Sequence, residues 1–386
     1  MEPIYLDHAA TSPVHPEVIQ AMLPYYEEQF GNPSSIHQFG RRARQGVDEA
    51  RGTIARLLQA DPSEFIFTSG GTEADNLAIF GYAYQHRGKG NHIITSQVEH
   101  HAVLHACQEL EHQGFEVTYV PVDQTGRVSV EDVRQALRDD TILVTLMYGN
   151  NEVGTIQPIA EIGALLQDHQ AVLHTDAVQA FGAISIELDH LPVDMLSVSA
   201  HKINGPKGVG LLYVRDGVVL KPALYGGEQE RKKRAGTENV AAIIGFAKAV
   251  EIAIANREER QKAYFDYCQT FFDQFQQEGV QFVMNGHQTW RLPHIFNVSF
   301  PGVHVEALLV NLDLAGIAAS SGSACTAGSI EPSHVLVAMH GSDSELVTSG
   351  VRFSFGLGNT KEHVQWAAKE TAKIVKRLQD QEAFIR

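Results

Sequence analysis

Residues 65–76 read FIFTSGGTEADN, a short apolar run followed by two glycines and a polar stretch. Aromatic and β-branched residues in a run of this length indicate a buried strand. The glycines indicate a tight turn, and the polar stretch predicts a helix that begins near Thr72. A strand, a turn and a helix in this order form one unit of an α/β fold.

The same unit recurs along the chain. Apolar runs separated by helical patterns lie at 92–95, 117–120, 142–146, 172–175, 195–198 and 209–214. Short apolar strands that alternate with helices predict a mostly parallel sheet with helices on both faces. We expect this α/β unit to form a large domain over residues 14–258.

A smaller α+β domain is expected to follow a proline-free helical stretch at 239–277. Beyond that stretch the pattern becomes strand, helix, strand, at 295–300, 305–309 and 351–355. The extended start of the chain, residues 1–13, would join residues 259–386 in this second domain.

Composition limits the classes of function. The chain has 386 residues, of which 44% are hydrophobic, enough to fill the cores of two domains. Its net charge of −16 argues against nonspecific binding to nucleic acid or to anionic lipid. Cys107, Cys268 and Cys325 form neither a disulfide framework nor a CxxC metal pattern, which indicates a reducing compartment. No apolar stretch approaches the ~20 residues that span a bilayer, so we expect a cytoplasmic protein.

Functional groups follow several of the predicted strands. Gly71 and Thr72 open a helix, which would offer free N–H groups to a phosphate, although Thr72 also suits an ordinary helix cap. Asp176 follows the run at 172–175, and Lys202 follows the run at 195–198. A lysine ahead of a Gly-Pro turn is often a solvated surface residue. At neighbouring strand ends, however, a lysine, a carboxylate and a phosphate site are the three parts that pyridoxal phosphate needs.

With these motifs in this order, the chain resembles the cysteine desulfurases of the NifS/IscS type. These belong to the class V aminotransferase group of fold-type I pyridoxal-phosphate enzymes. The resemblance runs from residues 5–11, YLDHAAT, nearly to the C-terminus. It implies that pyridoxal 5'-phosphate is the cofactor and that the active site contains residues of two subunits of a homodimer.

The resemblance also implies roles for single residues that contact the cofactor. Lys202 would hold it through an imine, Asp176 would pair with the pyridine nitrogen, and Gln179 would reach the phenolic oxygen. His100 would stack on the ring and take part in proton transfer, whereas His101 is interpreted as a cap or surface residue. Phosphate contacts are implied for Gly71, Thr72, Ser199, His201 and, from the second subunit, Thr237.

Substrate binding is implied for two further residues. Asn151 would lie near the cofactor ring and the substrate. Arg352 would clamp the substrate carboxylate, because the guanidinium fork suits a carboxylate better than an ammonium group does. A structural salt bridge is the alternative role for Arg352.

Residues 320–329 read SSGSACTAGS, and Cys325 is the thiol in this run of small side chains. Such a segment loses much entropy on ordering and buries little surface. It predicts either a mobile, exposed loop that carries a nucleophile or a free cysteine on a linker. The resemblance favours the nucleophile: the Cys325 thiolate would attack the sulfur of L-cysteine, alanine would leave, and Cys325 would keep a persulfide. No resident metal is expected, although Cys325 could ligate an iron–sulfur cluster transiently.

Other functions fit parts of this pattern. A selenocysteine lyase or a class V aminotransferase would use the same cofactor, but a transaminase needs no thiol, so the Cys325 loop favours desulfuration. A non-catalytic assembly protein would not need Lys202, Asp176, His100 and Cys325. The expected partner is a sulfur-acceptor protein, either an iron–sulfur scaffold or a tRNA-thiolating enzyme, with no direct contact to nucleic acid or membrane.

Overall fold

The structure is a computed structural model that describes residues 3–322 and 332–385. Its strands form three sheets. In chain order they are β1 Ile4–Tyr5, β2 Phe65–Thr68, β3 His92–Ser96, β4 Glu116–Val120, β5 Thr141–Thr145, β6 Val172–Asp176, β7 Met195–Ser199, β8 Gly210–Val214, β9 Val283–Asn285, β10 Ile295–Ser299, β11 Ile317–Ala318 and β12 Gly350–Ser354.

The helices cover the sheets and connect their strands. In chain order they are α1 Pro16–Glu27, α2 Gln38–Leu58, α3 Gly71–His86, α4 His101–His112, α5 Val130–Ala136, α6 Ile159–Leu165, α7 Val240–Ala255, α8 Arg257–Gln277, α9 Val305–Leu314, α10 His334–His340 and α11 Lys361–Ile385. None of the described helices is both long enough and apolar enough to cross a membrane.

The largest sheet has seven strands in the order β2-β8-β7-β6-β5-β3-β4. Neighbours from β7 to β4 pair in parallel, and β8 runs antiparallel to both β7 and β2. The prediction of a mostly parallel sheet covered by helices is confirmed.

Both faces of this sheet are buried, and this explains why the sequence of β8 is apolar throughout. Leu211 and Tyr213 pack into the hydrophobic cluster that contains α7, whereas Leu212 and Val214 pack into the cluster that contains α3 and α4. Successive side chains of a strand point to opposite faces, so a sheet covered on both sides has no polar positions to alternate with.

A separate hydrophobic cluster forms around the three-stranded sheet β12-β10-β9. It includes Ile4 and Leu6 from the start of the chain, and β1 pairs in parallel with β11. The N-terminal segment therefore packs with the C-terminal third of the molecule. The domain boundaries at residues 13/14 and 258/259 stay a proposal, which these distinct cores support.

The helical stretch predicted at 239–277 is two helices, α7 and α8, that meet at Asn256. The Asn256 side chain donates a hydrogen bond from Nδ2 to the Ile252 carbonyl at 2.8 Å, and its backbone lies at φ −104° and ψ 10°. Asparagine side chains compete for backbone partners in this way and interrupt helices. No proline or glycine was needed for the break, so the sequence pattern missed it.

Candidate active site

A cavity of about 360 Å³ lies at the carboxyl ends of β6 and β7. It brings together these residues that the sequence predicted for the site: Gly71, Thr72, His100, Asn151, Asp176, Gln179, Ser199, His201, Lys202 and Arg352. Thr237 is exposed and does not line this cavity. Cys325 lies outside the described residues, whereas Gly322 is part of the cavity lining.

The phosphate corner of the cavity is the first turn of α3. Gly70, not Thr72, is the N-cap residue, and no side chain caps this helix end. Gly70 has φ +153°, a backbone conformation that residues other than glycine rarely adopt. A Cβ atom at Gly71 would lie 2.8 Å from Val178 Cγ2, so the close approach of these segments also requires glycine. An uncapped N-terminus of a sixteen-residue helix attracts anions through its N–H groups and its dipole.

Asp176 and Lys202 supply opposite charges to the floor of the cavity. Asp176 ends β6, is almost fully buried and accepts a hydrogen bond from the Val178 N–H at 2.9 Å. Burial raises the pKa of Asp176 to about 6, against the effects of this hydrogen bond and of Lys202. The ammonium group of Lys202 donates to the carbonyl of Ala10 at 2.9 Å and also to the carbonyl of Ala9.

His100 is both a helix cap and a residue of the cavity. It is the N-cap of α4, and its Nδ1 accepts a hydrogen bond from the Ala102 N–H at 3.1 Å. Burial, assisted by the nearby Lys202, lowers the pKa of His100 to about 4. The imidazole is therefore neutral near pH 7. Because its Nδ1 is an acceptor, its proton is on Nε2.

Arg352 reaches the cavity from β12 and is 2% exposed. Its Nη1 donates to the Asn151 carbonyl at 2.7 Å, and its Nη2 donates to Asp7 Oδ1 at 2.8 Å. The backbone of Arg352 pairs with Ser320, two residues before Gly322 of the cavity lining. Both roles considered for Arg352 are therefore compatible, since it makes a salt bridge and still lines the cavity.

These groups fit pyridoxal 5'-phosphate. The uncapped α3 N-terminus with Thr72, Ser199 and His201 would hold the phosphate. Lys202 would provide the amine for the imine, and the buried carboxyl of Asp176 would pair with the ring nitrogen. Gln179 adds an amide whose Nε2 is anchored to the Ala9 carbonyl at 2.8 Å.

Residues 4–366 match the family model described as aminotransferase class-V. The chain belongs to this family. It is 59% identical to the putative cysteine desulfurase IscS 1 of Bacillus subtilis (strain 168), over 98% of this chain and 100% of that protein. It is 49% identical to the cysteine desulfurase IscS of Methanosarcina thermophila, over 98% of this chain and 93% of that protein.

Solved structures agree with these sequence relatives. A NifS-like protein superimposes with a TM-score of 0.91 at 36% identity, covering 97% of this chain and 100% of that one. A structure described as SspA in complex with cysteine gives a TM-score of 0.81 at 38% identity, covering 91% and 98%. The resemblance and the α/β fold class predicted from the sequence are confirmed. So is the enzyme class, a pyridoxal-phosphate-dependent cysteine desulfurase of the class-V family.

Several residues of this desulfurase-family site were missed by sequence reasoning. The segment 7–12 forms one side of it: Ala9 and Ala10 line the cavity, and Thr11 Oγ1 lies 3.1 Å from His201 Nδ1. These contacts use backbone carbonyls and a small hydroxyl, which no periodicity reveals. The available signal was the position of YLDHAAT at the start of the resemblance.

Two buried carboxyl groups near the cavity were also missed. Asp75, on α3, is 1% exposed, and burial together with the Asp176 carboxylate raises its pKa well above the usual value. Glu99 accepts hydrogen bonds from Ser96 Oγ at 2.6 Å and from the Met147 N–H at 2.8 Å. Burial raises the pKa of Glu99 to about 8. Burial thus favours the neutral form of Asp75 and of Glu99, whereas Lys202 favours the charged form of Asp176.

Glu152 contacts both chain segments that flank residues 323–331. Ser333 Oγ donates to Glu152 Oε2 at 2.5 Å. A Cβ atom at Gly322, which has φ +85°, would lie 2.7 Å from the same oxygen. Gly322 and Ser333, on either side of residues 323–331, therefore both lie against one buried carboxyl.

Cys107 and Cys268 lie on α4 and α8 and are buried. Burial raises the pKa of the Cys107 thiol, and it raises that of Cys268 to about 12. Both groups stay protonated near neutral pH, and thiols are poor nucleophiles in that form.

Proposed function

We propose that this enzyme removes the sulfur of L-cysteine, releases L-alanine and keeps the sulfur on Cys325 as a persulfide. The observation that supports this most strongly is the set of groups around one cavity: Lys202, Asp176 and the uncapped α3 helix on one side, and Arg352 on the other. Relatives named cysteine desulfurase match along nearly the whole chain, and a similar structure is described as a complex with cysteine.

The bound cofactor would supply an electron sink for the α-carbon of the substrate. Arg352 would orient the substrate by its carboxylate, using N–H groups that do not point to Asp7 or Asn151. Lys202 would take the α-proton once its amine is released. His100 would hold a proton at Nε2, because its Nδ1 is committed to the Ala102 N–H.

The Cys325 thiolate would then attack the sulfur of the substrate. The new bond joins the two sulfur atoms, and the bond between the β-carbon and sulfur breaks. The electron pair of the broken bond stays with the β-carbon, which takes a proton and becomes the methyl group of alanine. Three peptide links join Cys325 to Gly322 of the cavity lining, and three links span at most about 11 Å.

The Cys325→Ala variant tests this proposal. We expect it to bind the cofactor with an unchanged visible absorbance and to bind L-cysteine, but to form no alanine and no persulfide. Cys268→Ala is the matched control, because that thiol is buried in α8, and it should retain turnover. Alanine formation by Cys325→Ala at the wild-type rate would exclude Cys325 as the sulfur acceptor.

We further propose a homodimer in which Thr237 completes the phosphate site of the other subunit. Its support is that Thr237 is exposed and stands outside the cavity of its own chain. Sedimentation of the holoenzyme measures the oligomeric state, and Thr237→Ala should weaken cofactor retention in the dimer. A monomer with full activity would contradict this arrangement.

The sulfur acceptor is proposed to be an iron–sulfur scaffold or a tRNA-thiolating enzyme, in a cytoplasmic setting. Enzyme loaded with labelled sulfur on Cys325 should pass the label to one purified acceptor and leave the other unlabelled. Transfer to neither acceptor would refute both assignments.

A further inference from the structure

Asp7 forms an ion pair with Arg352, the residue proposed to bind the substrate carboxylate. Arg352 Nη2 donates to Asp7 Oδ1 at 2.8 Å, and the side chains of Arg352 and Asp7 are 3% and 18% exposed. Within residues 3–322 and 332–385, Asp7 is the carboxylate at ion-pair distance from Arg352. Water therefore screens this pair only in part.

The guanidinium keeps room for a second carboxylate. Arginine carries five N–H groups, and the described contacts use one for Asp7 and one for the Asn151 carbonyl. The Nε of Arg352 is buried without a hydrogen-bond partner among the described residues. A substrate carboxylate can thus bind to the fork while Asp7 stays in place.

The other carboxyl near Arg352 does not replace Asp7. Burial raises the pKa of Glu152, against the effects of its hydrogen bond from Ser333 and of Arg352. Its Oε2 is taken by the Ser333 hydroxyl, and its Oε1 lies 4.0 Å from His334 Nδ1. The described contacts of the Glu152 carboxyl are thus with Ser333 and His334, and Arg352 is not at ion-pair distance from it.

We propose that Asp7 and the carboxylate of the amino acid share Arg352, so that their mutual repulsion weakens the binding of L-cysteine and of L-alanine alike. This inference rests on the proposed function, because it takes Arg352 as the carboxylate site. Asp7 is then a positioning residue that also limits affinity: it holds the guanidinium in the cavity wall and lets the product leave. Two carboxylates that bind the same guanidinium repel each other across a short distance.

The Asp7→Asn variant separates the two effects of Asp7. Asparagine keeps an Oδ1 that accepts from Arg352 Nη2 but removes the negative charge. We expect the dissociation constant of L-alanine, read from the absorbance of the bound cofactor, to fall about five- to tenfold, and the KM of L-cysteine to fall similarly. Binding of cysteamine, which has no carboxylate, should stay within about twofold, a split that a purely structural role would not produce.

The matched control is Asp48→Asn, because Asp48 also pairs with an arginine, Arg44, but on the exposed face of α2. That variant should leave both constants unchanged. A weaker or unchanged affinity of Asp7→Asn for L-alanine would overturn the proposal. Alanine binding needs no turnover, so this result is distinct from a failure of desulfuration or of persulfide formation on Cys325.

A measurement on the wild-type enzyme decides the matter if the variant does not fold. Repulsion by Asp7 predicts that L-alanine binds less than about tenfold more tightly than L-alaninamide, which lacks the carboxylate. An advantage of a hundredfold or more (on the order of 3 kcal/mol) would mean that Arg352 is fully available to the substrate, and Asp7 would have no such role.

Discussion

The two walls of the cavity are built in different ways. We call the first the sheet wall. It consists of Gly71, Asp176, Ser199 and Lys202, which lie at or just after the carboxyl ends of strands of the seven-stranded sheet or at the start of a helix that follows such a strand. The second, the β12 wall, consists of Arg352 and Gly322. It depends on the backbone pairing of Arg352 with Ser320 and on the contact of Arg352 with Asp7, which is 345 residues away in the chain. Asp7 packs behind Arg352 in this wall.

This difference separates two tasks. The sheet wall presents backbone N–H groups, a buried carboxyl and an amine in positions that the sheet determines, which suits a cofactor that stays bound. The β12 wall presents a charged fork whose partners come from Asp7 and Asn151, which suits a substrate that enters and leaves. Damage to the sheet wall should therefore abolish chemistry, whereas damage to the β12 wall should change affinity.

The largest effect on turnover is expected for Lys202→Ala. Without the amine the cofactor cannot be held through an imine, and the α-proton loses its acceptor. We expect a loss of at least about 10³-fold in alanine formation, and release of the cofactor on gel filtration. The control is Lys207→Ala, since Lys207 is an exposed lysine five residues further along the chain. This variant should keep both its rate of alanine formation and its bound cofactor. Activity of Lys202→Ala near the wild-type level would exclude this lysine.

The next largest loss of turnover is expected for Asp176→Asn. The amide cannot carry the negative charge that keeps the ring nitrogen protonated, so the electron sink is weaker, and we expect a loss of about 10²- to 10³-fold in kcat. The matched control is Asp194→Asn. Asp194 precedes β7, so it lies at the opposite end of the strands from Asp176, and it also accepts a hydrogen bond from a backbone N–H, that of Leu173 at 2.7 Å. Equal losses in the two variants would show that Asp176 acts only through the stability of the sheet.

Arg352→Lys should affect binding more than chemistry. Lysine keeps the positive charge but loses the fork, so we expect kcat/KM for L-cysteine to fall about tenfold, mostly through KM. Turnover of cysteamine, measured with the same enzyme, should change by less than about threefold. A fall in kcat with KM unchanged would place Arg352 with the sheet wall and remove the distinction between the two walls.

The same difference explains how far the sequence could predict the molecule. Asp176 and Lys202 follow apolar runs, so strand patterns alone place them at the carboxyl ends of the strands of a parallel sheet. Arg352 was found by resemblance, because its position depends on pairing with Ser320 and Asp7 that no local pattern encodes. The break at Asn256 depends on a single hydrogen bond, and the start of α3 after Gly70 depends on backbone dihedral angles. Neither is visible in the periodicity of the sequence.

Glu99→Gln is expected to have the smallest effect on turnover, within about twofold near pH 7, because glutamine resembles the protonated carboxyl. Its effect should appear in stability. The pKa of Glu99 is raised to about 8 in the folded protein, so the folded state binds a proton that the unfolded state has already lost. This contribution is fully present below the ordinary pKa of a glutamate and is lost as the pH rises through about 8.

Unfolding of the holoenzyme by urea, followed at pH 5 and at pH 9 with excess cofactor, measures this term. Between those values the unfolding free energy of Glu99→Gln should gain on that of the wild type by roughly 4 kcal/mol. Glu99 does not line the cavity but accepts from the N–H of Met147, which does, so the gain should come without a change in the KM of L-cysteine. Parallel pH curves for the two proteins would mean that Glu99 is ionised in the folded state, and Asp176 would then share its surroundings with a second negative charge.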